Sequence, residues 1–148
     1  MMPAGRYYVG DLCYVMHPEW DEVCGIMFDT PKPGAVQDGE FTLKDGRRFA
    51  VHSTAYGDGC YRSNKGTMHS VDAGLIGCIL VSDIQDNEYT QEFLQGLGAF
   101  VEFTEPFTTS SGRGTRGWDG IIRFGDLEIY TGDEEAEYNE EEEYDCED

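Results

Sequence analysis

Bases, cysteine pairs and long apolar runs are what this sequence has little of. Ten Lys and Arg stand against 30 Asp and Glu in 148 residues, a formal net charge of −20 with a pI ≈ 4.2. Nucleic-acid binding needs a basic footprint that displaces counterions from phosphate, so the whole chain is expected not to bind nucleic acid directly, nor to dock on an anionic membrane. Nothing approaches the roughly 20 apolar residues of a membrane span. The opening MMPAGRYYVGD also lacks the apolar stretch of a secretory signal. The five cysteines (Cys13, Cys24, Cys60, Cys78 and Cys146) are odd in number, irregularly spaced and without a C-x-x-C pair. That argues for reduced thiols in an intracellular, cytoplasmic setting and against a disulfide framework or structural zinc.

Leu, Ile, Val and Phe total 30 residues, about a fifth of the chain, which borders on disorder at this charge. All 30 lie before Gly132. The last 17 residues hold 11 acids and no base, leaving 19 acids against 10 bases, a net −9, for the first 131. The length fits one domain, so the chain divides into a β-rich globular domain over 1–131 and a disordered acidic tail over 132–148. The tail reads DEEAEYNEEEEYDCED from Asp133, with a glutamate run at Glu140–Glu143. A like-charged block without apolar periodicity repels itself and builds no core. It serves as a solubilising tail, or as an arm that engages a basic protein or mimics nucleic acid, with Tyr138 and Tyr144 as aromatic anchors.

Within the domain, Arg6–Val9 and Cys13–Val15 read as strand pieces around Gly10-Asp11. His17-Pro18 opens a helix in which Trp20, Val23, Cys24 and Met27 share one face. Glu40–Lys44 and Arg47–His52 flank Asp45-Gly46, which suggests a type I′ hairpin. Cys60–Ser63 and Thr67–Val71 form a second hairpin, and Ile121–Phe124 with Leu127–Tyr130 a third, across Gly125-Asp126 in a type I′ or II′ turn. Ile76–Val81 is apolar throughout, as a central strand buried on both faces requires. A short helix is read at Glu88–Gln95, with Phe93 and Leu94 docking on the sheet. Ala99–Phe103 is read as a strand with Ala99, Val101 and Phe103 inward, and Thr108–Gly117 as a loop. The expected class is α+β, β-rich: about eight strands in a mainly antiparallel sheet built from hairpins (curled sheet, sandwich or small barrel), with two short helices.

The densest group of chemistry-bearing side chains is His52, Asp58, Cys60, Tyr61, His69 and Asp72. A Cys60–His69–Asp72 nucleophilic triad can be tested by hairpin register. If Asn64-Lys65-Gly66 is a three-residue loop with left-handed Gly66, then Cys60 faces Ser70, Tyr61 faces His69 and Asp58 faces Asp72. The period of two then puts Cys60 and His69 on opposite faces. A two-residue loop would pair them but demands positive φ at Lys65. The residues therefore favour Cys60 as a small buried side chain, and His52 as a hydrogen-bonded structural histidine at a strand end. Asp58 and Asp72 are read first as turn or bulge residues bonding backbone amides. Next comes a hard-oxygen site for a divalent cation, then a catalytic carboxylate pair or charge partners of Arg47, Arg48 or Arg62. No cofactor is expected beyond that candidate cation.

The patterns Tyr-Val-Gly-Asp-x-Cys-Tyr at Tyr8–Tyr14, Tyr-Gly-Asp-Gly-x-Tyr at Tyr56–Tyr61 and Val-Asp-Ala-Gly-x-Ile-Gly at Val71–Gly77, with Trp20 between the first two, carry a resemblance. Over Gly5–Gly77 the chain resembles a family of small, functionally uncharacterised proteins of bacteria, their phages and large DNA viruses. It departs from that pattern at Leu12, where Pro is usual. The resemblance implies a compact β-rich domain and leaves the function open.

One compact basic loop remains, Ser110–Gly117, with Arg113 and Arg116 as candidate anion-binding residues; the spacing is not that of a P-loop. The acidic tail starts close enough behind it to fold back. The functional expectation is a non-enzymatic interaction protein whose tail engages a basic partner as a nucleic-acid mimic, inhibitor or assembly factor. The alternative is a small metal-assisted hydrolase or ligand-binding enzyme centred on Asp58, Asp72 and His52.

Overall fold

The computed structural model describes residues 1–31, 37–55, 58–72, 74–85, 89–112 and 119–132. In chain order its strands are β1 (Gly5–Gly10), β2 (Gly39–Thr42), β3 (Arg48–Ser53), β4 (Gly59–Ser63), β5 (Met68–Val71), β6 (Leu75–Leu80), β7 (Ala99–Phe103), β8 (Thr109–Ser111), β9 (Ile121–Phe124) and β10 (Leu127–Tyr130). They form two antiparallel five-stranded sheets, ordered β2-β3-β6-β1-β7 and β5-β4-β10-β9-β8. Among the described residues no helix is long and apolar enough to cross a membrane.

The layering follows from which residues are apolar at period two. Tyr7, Val9, Ile76, Cys78 and Phe103 of the first sheet meet Tyr61, Val71, Ile122, Phe124, Leu127 and Ile129 of the second. From the other face of the first sheet, Tyr8, Phe49, Val51 and Ile79 pack on Leu12, Val15, Met16, Val23, Met27 and Leu94. The first sheet is therefore the middle layer. Its central strand β6, LIGCIL, must be apolar on both faces, as the Ile76–Val81 run predicted. In the second sheet, inward Tyr61, Ile122 and Ile129 alternate with outward Arg62, Arg123 and Tyr130.

Helix α1 (Trp20–Met27) lies on the middle layer through buried Val23 and Met27. It is tied to the β2–β3 turn by the buried Glu19–Arg47 ion pair and by Lys44 N, which donates to Glu22 Oε2 at 2.7 Å. Helix α2 (Gln91–Gln95) is capped by the Thr90 hydroxyl, which accepts from Phe93 N at 3.2 Å.

Several expectations are corrected. Cys13–Val15 is not a strand: Leu12–Tyr14 forms a 3₁₀ turn because Asp11 Oδ1 accepts from Cys13 N at 3.0 Å and caps it. The first helix begins at Trp20, not at Pro18, since Glu19 N and Trp20 N bond the carbonyls three residues back, of Met16 and His17. The Asp45-Gly46 turn is not type I′. Leu43 N bonds Arg47 O across a three-residue loop, and no described non-glycine residue has positive φ, which type I′ would require of Asp45. The Gly125-Asp126 turn joins Phe124 directly to Leu127 with φ +60 at Gly125 alone, the type II′ alternative. Thr109–Ser111, read as loop, is an edge strand on β9. Leu94 docks as expected, but Phe93 is 45% exposed and stacks on Tyr89 with centroids 4.9 Å apart.

Candidate functional site

The β4–β5 hairpin has the register read from its turn. Cys60 pairs with Ser70 and Tyr61 with His69, and Gly66 takes the left-handed position at φ +83. Tyr61 and His69 point into the core at 4% and 0% exposure, while Cys60 is half-buried on the outer face instead of fully buried. The expectation of reduced thiols is corrected there, because Cys60 is disulfide-bonded. Cys60 carries no free thiol and lies on the opposite face of the ribbon from the imidazole, so this hairpin does not build a Cys60–His69–Asp72 triad.

His69 is instead the end of an internal chain. The Val9 carbonyl can only accept, so Nδ1 carries the proton and donates to it at 3.0 Å. Nε2 then accepts from the Thr67 hydroxyl at 2.7 Å, and Thr67 Oγ1 accepts from Ser63 Oγ at 2.6 Å. Ser63 Oγ in turn accepts from Lys65 N and Thr67 N, each at 3.1 Å. Every proton has one place. Burial pushes the imidazole down to about 4, so it is neutral at physiological pH and both nitrogens are occupied.

Asp58 and Asp72 sit at the open end of the same hairpin, both exposed. The backbone N–H of Asp72 donates to Asp11 Oδ2 at 2.7 Å. Asp11, fully buried, thus ties the end of β1 to the end of β5. Sequence reading missed this residue, although it lies in the quoted Tyr8–Tyr14 pattern; a buried acid after a glycine was the available signal. Of the arginines proposed to balance the aspartates, Arg47 pairs with Glu19 and Asp45, and Arg48 with Glu40. Burial, and then the Asp11 charge, push the Cys13 thiol far up, and burial does the same to Cys78. Among the described residues no group of three His, Cys, Asp or Glu could hold a metal ion, so His52 does not join Asp58 and Asp72.

His52 lies elsewhere, in the seam between β3 and β8. Its Nε2 is 2.9 Å from Thr109 Oγ1, its ring meets Phe124 edge-on at 5.9 Å, and it is 3% exposed. Across the β2–β3 ladder, Asp38 accepts from Ser53 Oγ at 3.2 Å, and Glu40 accepts from Thr109 N at 2.9 Å while pairing with the N-terminal amine at 2.7 Å. Within the described residues His52 Nδ1 and Asp38 Oδ2 are buried without a partner. Burial lowers the His52 imidazole, with Asp38 and Glu40 opposing.

A groove of about 400 Å³ lies where the end of β7 and the segment after it meet Lys65, Gly125 and Asp126. Val101, Phe103 and Phe107 form its floor, the last two stacked with centroids 3.8 Å apart. Glu102, Glu105 and Asp126 are acidic on its rim, and Lys65 binds Asp126 at 2.8 Å. No linear motif announces this groove, since its walls come from three separate parts of the chain. Arg113 and Arg116 lie outside the described residues, as does the acidic segment 133–148.

No family model, curated protein or solved structure matches the chain.

Proposed function

We propose that the protein is a non-enzymatic interaction protein whose β-rich domain and acidic C-terminal segment engage a basic protein partner, as an inhibitor, nucleic-acid mimic or assembly factor. The observation that carries this reading is where the chemistry-bearing groups stand against where the charge stands. His69 is consumed by an internal hydrogen-bond chain, Cys60 faces away from it, and Asp58 and Asp72 hold exposed positions at a hairpin end. The charge is −20, with 11 acids and no base in the last 17 residues, and the β7 groove adds acidic side chains on the domain itself. Such a distribution attracts a basic surface at long range and gives affinity that salt screens.

The test is affinity capture with the full chain and with a chain ending at Thr131, at low and raised salt, read by mass spectrometry. Basic proteins captured by the full chain and lost at raised salt or on truncation are the expected result. Capture indifferent to both, or of no basic protein, removes the reading.

A further inference from the structure

We propose that the outer edge of β7, with the groove beside it, is a docking site for an extended basic segment of a partner protein, which adds to the first sheet as a sixth strand. This deepens the interaction reading and rests on it.

Each sheet edge offers a row of backbone N–H and C=O groups to any strand that can reach it. Three of the four edges are used, or too short to serve. The β2 edge is closed over by β8 and the N-terminus, through Thr109 N and the terminal amine on Glu40. The β5 edge already donates Ser70 N to Leu97 O at 2.7 Å. The β8 edge is only three residues long. Among the described residues the edge that remains is β7, five residues paired on one side with β1 alone.

The groove says what would pair there. An added strand alternates its side chains, so every second residue can settle over Val101 and Phe107 while the residues between meet the rim. On that rim Lys65 is spent on Asp126. Among the described residues no ion pair involves Glu102 or Glu105. The exposed carboxylates of Glu102 and Glu105 therefore select Lys or Arg at alternating positions. They also oppose a second copy of this chain on the same edge, which would bring its own Glu102 and Glu105 against them.

The probe is a short acetylated peptide of alternating Lys and Val, labelled and titrated with the full chain by fluorescence anisotropy. Its comparison is the same peptide N-methylated on alternate backbone nitrogens, which keeps charge and side chains but loses the donors to the edge. The expected result is binding of the parent peptide, weakened about tenfold or more by N-methylation and by the double substitution Glu102→Lys, Glu105→Lys. Both sites are exposed, so an unchanged melting midpoint should accompany that loss. Replacing Glu140–Glu143 by Gln should lower the affinity for both peptides and leave their ratio intact. Equal binding of the two peptides, lost with the Gln replacements, would overturn the docking site and leave the interaction reading standing. Binding of neither would overturn both. A dimer of the chain that the parent peptide dissociates would assign the edge to a second copy instead.

Discussion

Among the described residues the first sheet is covered on both faces and the second on one, and the two tolerate polar groups differently. In the first sheet and its contacts, buried carboxylates are held by built-in partners: Asp11 accepts from two backbone N–H groups, and Glu19 is locked to Arg47. The second sheet keeps its inner face as strict, but its outer face carries Arg62, Ser70, Arg123, Glu128 and Tyr130 in partial contact with water. Structural fidelity is thus concentrated in the middle layer. Surfaces able to meet another molecule lie at its uncovered edge and on the outer layer.

The sharpest way to break this contrast is to change one side chain in each layer. At Gly77, in the centre of the middle sheet, a Cβ would lie 2.2 Å from the Ala50 carbonyl oxygen and 2.7 Å from Leu12 Cδ1. Backbone cannot step aside there, so Gly77→Ala should cost about 3 kcal/mol or more in denaturant unfolding. Glu128→Ala, on the outer face of β10, removes one half-exposed ion pair to Arg123 and should stay within about 0.5 kcal/mol. Similar costs at the two positions would dissolve the distinction.

The histidine between the sheets gives the next effect. His69 has a folded pKa of about 4 against 6.5 in the unfolded chain. Between those values the unfolded chain binds more protons, so the neutral histidine's stabilising contribution is intact above pH 6.5 and drains away as pH falls toward 4. From pH 7 to 5 the loss attributable to His69 is on the order of 2 kcal/mol. Unfolding free energies of the native chain and of His69→Gln at both pH values isolate it, because the many carboxylates and His52 titrate alike in both. A variant as pH-sensitive as the native chain would contradict the buried, neutral imidazole.

The turns compare the layers on a finer scale. Gly46 closes the β2–β3 hairpin at φ +97 with open space around it, whereas Gly125 closes β9–β10 at φ +60 with Phe107 Cβ 3.2 Å and Phe103 Cε1 3.3 Å from where a Cβ would stand. Left-handed backbone costs an L-residue about 1 kcal/mol at either site. Gly125→Ala should therefore cost about 1.5 kcal/mol and Gly46→Ala about 1 kcal/mol, the difference reporting the contact. Equal losses would show that the aromatic pair yields.

How much of this was legible depends on whether the signal is local. The Gly66 turn fixed the register of β4 against β5, because only glycine takes left-handed φ cheaply, and that register was enough to reject the cysteine–histidine pairing. The continuous apolar run at β6 marked a strand covered on both faces. What escaped required distant residues. Asp11 organises a 3₁₀ turn where alternation suggested a strand, since one carboxylate can outbid a weak periodicity. β8 is a three-residue strand specified by pairing with β9, not by its own Thr-Ser-Ser. His52 could be recognised as structural, but not its seam with Asp38, Glu40 and Thr109, which spans 71 positions of sequence.

The smallest effect expected is at Asp58 and Asp72, and it bears on whether the outer layer does chemistry. Two exposed carboxylates at a hairpin end, with no third ligand grouped with them among the described residues, offer a divalent cation little beyond what water already supplies. A cation that binds only the folded chain raises the melting midpoint by mass action, so a midpoint unmoved by Ca²⁺, Mg²⁺, Mn²⁺ or Zn²⁺ is expected, and Asp58→Asn should be silent with or without them. A midpoint that one of these ions raises, and that Asp58→Asn returns to its starting value, would transfer the proposed functional centre from the β7 groove to the β4–β5 hairpin. The outer layer would then be the reactive region of the molecule, not merely its tolerant one.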